Sequence, residues 1–423
     1  MSQTNRPAPP PVNSQRLLER FLQYVQIETT ADPQARGYPT SSGQWTLGEL
    51  LRDQLVALNL RDVHQDEHGL VWATIPATDG GNSATVALLA HMDTSPEASG
   101  RDVHPRVVPN FDGQAIELEK GGAITPDNTP ELTELKGKTL IVTDGTTLLG
   151  GDDKAGVAIL VELAAHLMEH PHLPHGPIRL LFTCDEEVGR GTEKIDLEKV
   201  DATVAYTLDG GGAGQLDVET FSADAAQVTF QGTNIHPAIA KDRMVNAVRA
   251  AAYFVEQLPR TTLAPETTDG RQAFVHPHGI EGGVGKTTVD LILRSFETAD
   301  LTEMADRLRS LAVQTESEFP GLKVEVTTRQ QYRNLRDGLQ KLPEALALAE
   351  QAFANLQRPC ERAIIRGGTD GSQLTERGLP TPNLSSGQHN IHANIEFACL
   401  EEMVEATEHL VEMLRLWSEQ SRV

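Results

Sequence analysis

The chain has 423 residues, too many for one ordinary hydrophobic core, so two domains are expected. Asp and Glu outnumber Lys and Arg by 60 to 36. The resulting charge of −24 argues against a nucleic acid or an anionic membrane as partner, since both need a cationic surface. The apolar and charged fractions, 39% and 23%, are those of a globular protein, and no apolar run is long enough to span a bilayer.

Residues 1–15, MSQTNRPAPPPVNSQ, are Pro-rich and lack an apolar stretch; they read as a disordered tail, not a secretory signal. Residues 16–29 and 43–60 carry apolar side chains at helical spacing, and 70–77 and 85–92 read as strands. The run TLIVTDGTTLLGGDD (139–153) leads into 153–170, which is apolar almost all round, as in a helix inside an α/β layer. Two more apolar runs follow, IRLLFTCDEE (178–187) and ATVAYTLDG (202–210). Strands this apolar, alternating with helices, predict an α/β fold with a largely parallel buried sheet.

Near residue 221 the pattern changes. Strand-like AAQVTFQG, a helix at 244–258, a strand at 287–296, a helix at 301–317 and a strand at 322–330 predict a small α+β domain, with 259–272 as a loop inside it. Helix–strand alternation then resumes. The expected organisation is a discontinuous catalytic domain, 16–220 and 334–423, carrying an inserted domain at 221–333. No internal repeat is visible. Cys184, Cys360 and Cys399 are odd in number, widely spaced and form no CxxC pair, so a reducing compartment and a cytoplasmic protein are expected.

The chemistry is concentrated at strand ends. The run ATVALLAHMD (84–93) delivers His91 and Asp93. The others deliver Asp152 and Asp153, Glu186 and Glu187, and Asp209; NLSSGQHNIH (383–392) brings His392. Ligands of open α/β sheets bind beyond the carboxyl ends of the strands, so one crevice collects these groups. Each motif alone could be a helix cap or a solvated strand end. Together, carboxylates gathered without a cation would repel, which points to two metal ions sharing a carboxylate and to metal-assisted hydrolysis. Asp93, two residues beyond His91, can accept a hydrogen bond from its far ring nitrogen. Asp152 and Asp153 open a helix, where one can face the crevice while the other caps.

Other signals point elsewhere. GGVGKTT (282–288), with Gly285, Lys286 and Thr287, resembles a nucleotide-binding phosphate loop. That pattern needs Gly at the position of Ile280 and a helix after Lys286, where TTVDLILR is β-like instead. His166, His170, His172 and His175 read as surface histidines near a helix end. Gly367, Gly368 and Gly371 read as a tight turn needing positive φ. Cys184 reads as a packed strand residue.

The segments AHMDTSPEASG, LLGGDDKAG, CDEEVGRG, YTLDGGG, NIHPAIAKDRMVNA and IRGGTDGSQL, with His392, resemble the tripeptide aminopeptidases of the dizinc peptidase family M20, from about Leu17 to Val411. The resemblance implies that Asp152 bridges two zinc ions, with cobalt or manganese also suited to such ligands. His91 and Asp209 would complete one site, and Glu187 and His392 the other. Asp93 would orient His91, and Glu186 would be the general base for a water held between the metals. It further implies a lid and dimerisation role for the inserted domain and a homodimer in which His236 reaches a neighbouring site. Asn246, Arg294 and Arg366 would bind a short peptide substrate. Read from residues alone, His236 is a polar strand-end residue and Arg294 a surface ion-pair partner. Gly151, Cys184, His389 and Ile395 depart from the family pattern, and 259–283 matches it weakly, which bears on substrate length. The alternatives are the same chemistry on another amide (a dipeptide, a C-terminal residue or an N-acyl amino acid), and a non-catalytic scaffold, which no lost ligand supports.

Overall fold

The computed structural model describes residues 9–420 except Asp79 and Gly81, so most of the expected disordered tail lies outside the described residues. The chain divides into two compact units. One runs to Val218 and resumes over Gly338–Ala363 and from Thr369; the other is Glu219–Asp337 with Ile364–Gly368.

The first unit is built on a mixed sheet. Its strand order is Arg61–Gln65, Val71–Ile75, Ile178–Thr183, Val86–His91, Val204–Gly211, Asn383–His389, Phe397–Cys399, Leu140–Val142 and Arg106–Val108. The four central strands, from Ile178–Thr183 to Asn383–His389, pair in parallel; the flanking pairs are antiparallel. Every residue of Val86–His91 is buried, because helices cover both faces of a parallel centre. The helix Gly151–Glu169 is buried from Gly151 to Leu167, which explains why its sequence is apolar all round. Its one buried acid in mid-helix, Glu162, is held by Arg16 at 2.7 Å and Arg20 at 2.6 Å from the helix Ser14–Val25. Such partners offset the cost of taking the carboxylate out of water. The stretch 94–138, for which the sequence suggested no elements, carries the small pair Ile116–Glu117 and Ala123–Ile124 and a 3-10 turn Pro130–Leu135. These cover a satellite core of Phe111, Ile116, Leu132 and Phe397.

Near the C-terminus, His409 on the helix Leu400–Trp417 donates from Nε2 to the Ala349 carbonyl at 2.9 Å and stacks on Phe353, ring centroids 3.7 Å apart. Burial pulls its pKa from 6.5 to about 4. The unfolded chain therefore takes up this proton before the folded chain does, and stability falls as pH drops through that window. We expect His409→Gln to flatten the decline of Tm between pH 6.5 and 4, measured by calorimetry against the parent; parallel curves would remove His409 as the cause.

The second unit is a four-stranded antiparallel sheet in the order Phe274–Gly283, Lys286–Ser295, Ser222–Gln231, Lys323–Tyr332, with helices Ala247–Glu256 and Thr298–Glu318 packed against it. Along Lys286–Ser295 buried and less buried residues alternate, the signature of one covered face. Its core includes Val228, Phe230, Phe254, Leu291 and Leu308. Residues 364–368 join this unit because Arg366 donates to the carbonyls of Thr268, Gly270 and Gln272, and the Phe221 amide to those of Ile365 and Gly367. Val284 and Gly285 turn a β-hairpin, and Lys286 opens a strand. A phosphate loop needs the N-terminus of a helix there, so the nucleotide reading fails.

The glycines of the 367–371 turn are a correction of a different kind. None has positive φ. A Cβ on Gly368 would lie 2.5 Å from the Tyr332 ring, and one on Gly371 would lie 2.6 Å from the Thr381 carbonyl. At Gly368 and Gly371 close approach, not backbone conformation, requires glycine; a Cβ on Gly367 would meet its nearest neighbour at 3.9 Å.

Candidate metal centre

His91 ends its strand and Asp209 lies within the adjacent parallel strand, so the sheet itself sets their spacing. Asp152 enters from the first turn of the helix Gly151–Glu169, where Asp152 and Asp153 depart from helical geometry and the peptide bond between them is cis. Glu186 and Glu187 form a short 3-10 turn after the strand Ile178–Thr183. His392 lies on the segment following Asn383–His389 with φ of +62°.

These residues form two groups that share one member. Ligand atoms of His91, Asp152 and Asp209 lie within 4.8 Å of one another, as do those of Asp152, Glu187 and His392. Asp152 divides its oxygens between them: Oδ1 is 2.9 Å from His91 Nε2, and Oδ2 is 3.2 Å from His392 Nε2. Glu187 Oε2 is 3.0 Å from His392 Nε2, and Asp209 Oδ1 is 3.7 Å from His91 Nε2.

Hydrogen-bond chemistry tests whether a cation fits. His91 Nδ1 lies 3.1 Å from the Asp93 carbonyl, which can only accept, so Nδ1 carries the proton. Nε2 then turns its lone pair toward carboxylate oxygens that are also acceptors. Either a proton or a cation has to lie between them. The buried Glu187 Oε1 has no hydrogen-bond partner among the described residues. Electrostatics agrees. Burial, then the Asp152 charge, pushes Asp209 up to about 6 and Glu187 up to about 7. Bonds to Asp152 and Glu187 lift His392 to about 11. For His91, burial is outweighed by its carboxylate partners, and the net shift is upward. The donor set of imidazole and carboxylate suits two divalent transition-metal ions.

Neighbouring acids take separate tasks. Asp153 Oδ2 accepts from the His91 amide and Oδ1 from the Gly156 amide, both at 3.1 Å, so Asp153 is the cap and Asp152 the crevice residue. The Asp93 carboxylate lies 3.5 Å from His91 Nδ1, farther than its own carbonyl. Its oxygens accept from the Glu186 and Glu187 amides, each at 3.1 Å. Those amides open the 3-10 turn and have no partner within it, so they draw the charge. Asp93 thereby positions the general-base candidate as well as the imidazole. Asp185 leaves the strand with φ of +62° and is held by Thr40 and Gln44, which lets Glu186 and Glu187 depart from the pleat. Burial raises the Glu186 carboxyl well above its ordinary range.

Two acids escaped the sequence reading. Asp370 is buried, accepts from Thr183 Oγ1 at 3.0 Å, and has an Oδ1 without a hydrogen-bond partner among the described residues. Burial pushes it up to about 7. Glu396 is buried against the turn that carries Asp152. Their partners lie far off in sequence, so no local signal marks them. Among the four histidines near the helix end, His166 and His175 are buried rather than on the surface. None belongs to a three-ligand group among the described residues.

The remaining candidates lie in the second unit. His236 is exposed and its Nδ1 accepts from the Ala238 amide at 3.2 Å. Asn246 caps the helix Ala247–Glu256 through the amides of Val248 and Arg249. Arg294 donates to Gln331 at 2.9 Å and sits over the Tyr332 ring, a polar partner rather than the acid expected of a surface pair. Arg366 lies over Phe221 and Phe274 with its guanidinium bonded to the 268–272 loop.

Among the described residues no helix is long and apolar enough to cross a membrane. A model of peptidase family M20/M25/M40 matches residues 150–416. Peptidase T of Geobacillus sp. (strain WCH70) is 40% identical over 407 residues, covering 96% of this chain and 99% of the relative. Aminopeptidase PepT from Bacillus cereus ATCC 10987 superposes with a TM-score of 0.75 at 24% identity, covering 96% of this chain and 100% of that one. A tripeptidase from Staphylococcus aureus superposes with a TM-score of 0.77 at 24% identity, covering 97% and 100%. The chain belongs to peptidase family M20/M25/M40.

Proposed function

We propose that this chain is a metal-dependent aminopeptidase that removes the N-terminal residue from tripeptides. The observation that carries the hydrolytic part is the division of the two Asp152 oxygens between His91 and His392. The tripeptide part is supported by the near full-length match to Peptidase T. His91, Asp152 and Asp209 would hold one ion, and Asp152, Glu187 and His392 the other. When bound, the pair supplies Lewis acidity, which makes hydroxide available near neutral pH and stabilises charge on a carbonyl oxygen. Glu186 takes the proton from water, helped by a burial-raised pKa, and returns it to the leaving amine. Asp93 fixes the turn from which Glu186 acts.

The same reading takes zinc as the metal, the cytoplasm as the location, and a homodimer in which the second unit serves as lid and dimerisation domain. Exposed His236 is then free to reach a partner's oxyanion, with Arg366 to meet the peptide carboxylate and Arg294 as a further substrate-binding or charge-stabilising arginine. Arg366, bonded to the 268–272 loop, and Asn246, which caps its helix, complete the proposed substrate-binding set.

Hydrolysis of Ala-Ala, Ala-Ala-Ala, Ala-Ala-Ala-Ala and N-acetyl-Ala-Ala-Ala, with and without chelator, tests the proposal. We expect chelator-sensitive release of N-terminal Ala from the free tripeptide alone. Preference for the blocked or shorter substrates would move the activity to another amide. A metal-loaded chain that cleaves nothing would return the scaffold reading.

A further inference from the structure

In the helix Gly151–Glu169, Asp153 caps the Gly156 amide, but the turn ahead of Asp153 has no side-chain cap of its own. Its N-cap is Gly150, with φ of +80° and no side chain to offer. The first amides of a helix have no partner within it. Here the Asp152 amide, with those of Leu149 and Gly150 just ahead of the helix, is met from a remote part of the chain: Glu396 Oε2 accepts from the Leu149 and Gly150 amides at 2.7 and 2.8 Å, and Oε1 from the Asp152 amide at 3.1 Å. Glu396 is 1% exposed, and a Cβ on Gly151 would lie 3.2 Å from Oε1, so the carboxylate is packed into the turn. It follows His392 on the same short segment between Asn383–His389 and Phe397–Cys399.

We propose that Glu396 is a positioning residue that ties the loop delivering Asp152 to the loop delivering His392, and so presets the metal group of Asp152, Glu187 and His392. The other group needs this less, because His91 and Asp209 stand on neighbouring strands of one sheet. Glu396 also places negative charge at the positive end of the helix, which favours the same backbone geometry. Without it, His392 and Asp152 are free to separate, and ordering them falls to the metal. The inference rests on the two-metal reading above.

The test is Glu396→Gln in the full chain, titrated with Zn2+ by calorimetry and without substrate. Glutamine keeps the shape but presents an amide N–H to backbone N–H groups, so it cannot serve both sides of the turn. We expect the parent to bind two equivalents and the variant to bind one nearly as tightly and the other about 10–100-fold more weakly. Hydrogen exchange should show the Leu149, Gly150 and Asp152 amides losing protection in the variant while the sheet keeps it. Glu162→Gln, which removes another buried and paired charge from the same unit, serves as control; it should lower Tm and leave both affinities unchanged. Equal affinities in parent and Glu396→Gln overturn the inference alone, as does an equal loss in Glu162→Gln, which would make the effect a generic loss of stability. A parent that binds no metal overturns the two-metal reading as well. If Glu396→Gln fails to fold, Glu396→Asp is used; it keeps the charge one methylene short of the turn, and the same split between the two affinities is expected.

Discussion

Glu186→Ala is expected to bind metal as the parent does and to lose turnover by about 10²–10⁴-fold, the usual contribution of a positioned general base. Two adjacent glutamates make this a sharp test. Glu187 lies 3.0 Å from His392 and shares its group with Asp152. Glu186 belongs to neither ligand group among the described residues, although burial and surrounding acids raise its carboxyl. A short 3-10 turn pinned by Asp93 holds both backbones, so losing the Glu186 side chain leaves the amide contact to Asp93 intact. Glu187→Ala should behave differently and lose metal. Metal content by mass spectrometry, read beside kcat, separates the two. Full activity in Glu186→Ala, or metal loss equal to that of Glu187→Ala, would falsify the division of roles.

Asp152→Ala is expected to lose both metals and nearly all activity. Among the described residues no other belongs to both ligand groups, and its two oxygens face different histidines. On the two-metal reading, removing it would take the shared ligand from both ions and leave His91 Nε2 beside Asp209 and His392 Nε2 beside Glu187. Loss of the Lewis-acid contribution, several kcal/mol, corresponds to a rate loss on the order of 10³-fold or more. Excess metal in the assay should not restore activity. His91→Ala is the companion: it removes one group and leaves Asp152, Glu187 and His392 able to retain an ion. Two equivalents bound by Asp152→Ala would remove the bridging role and with it the pairing of the sites.

The acids and histidines at the strand ends were legible because two local signals coincide there. Apolar runs mark buried strands, and the side chains just past them lie where an α/β sheet opens. The change of pattern near residue 221 was legible for the same reason, since the alternating strands Ser222–Gln231 and Lys286–Ser295 differ from the continuously buried Val86–His91.

What escaped depends on contacts between distant segments. Glu396 meets its amides 244 to 247 residues away, and Asp370 meets Thr183 187 residues away. The carboxylate of Asp93 was expected at its near neighbour His91, and it lies 3.5 Å from Nδ1; that it also takes the Glu186 and Glu187 amides was not legible. Gly368 and Gly371 suggested a turn conformation, yet Tyr332 and Thr381 pack too closely there for a side chain. By itself the sequence determined which residue types reach the crevice, because strand period and side-chain chemistry are local properties. Only the tertiary structure decided which oxygen faces which nitrogen, which acid caps and which one bridges, and what holds the loops together. Those choices are settled by competition among groups that the chain brings together only when it folds.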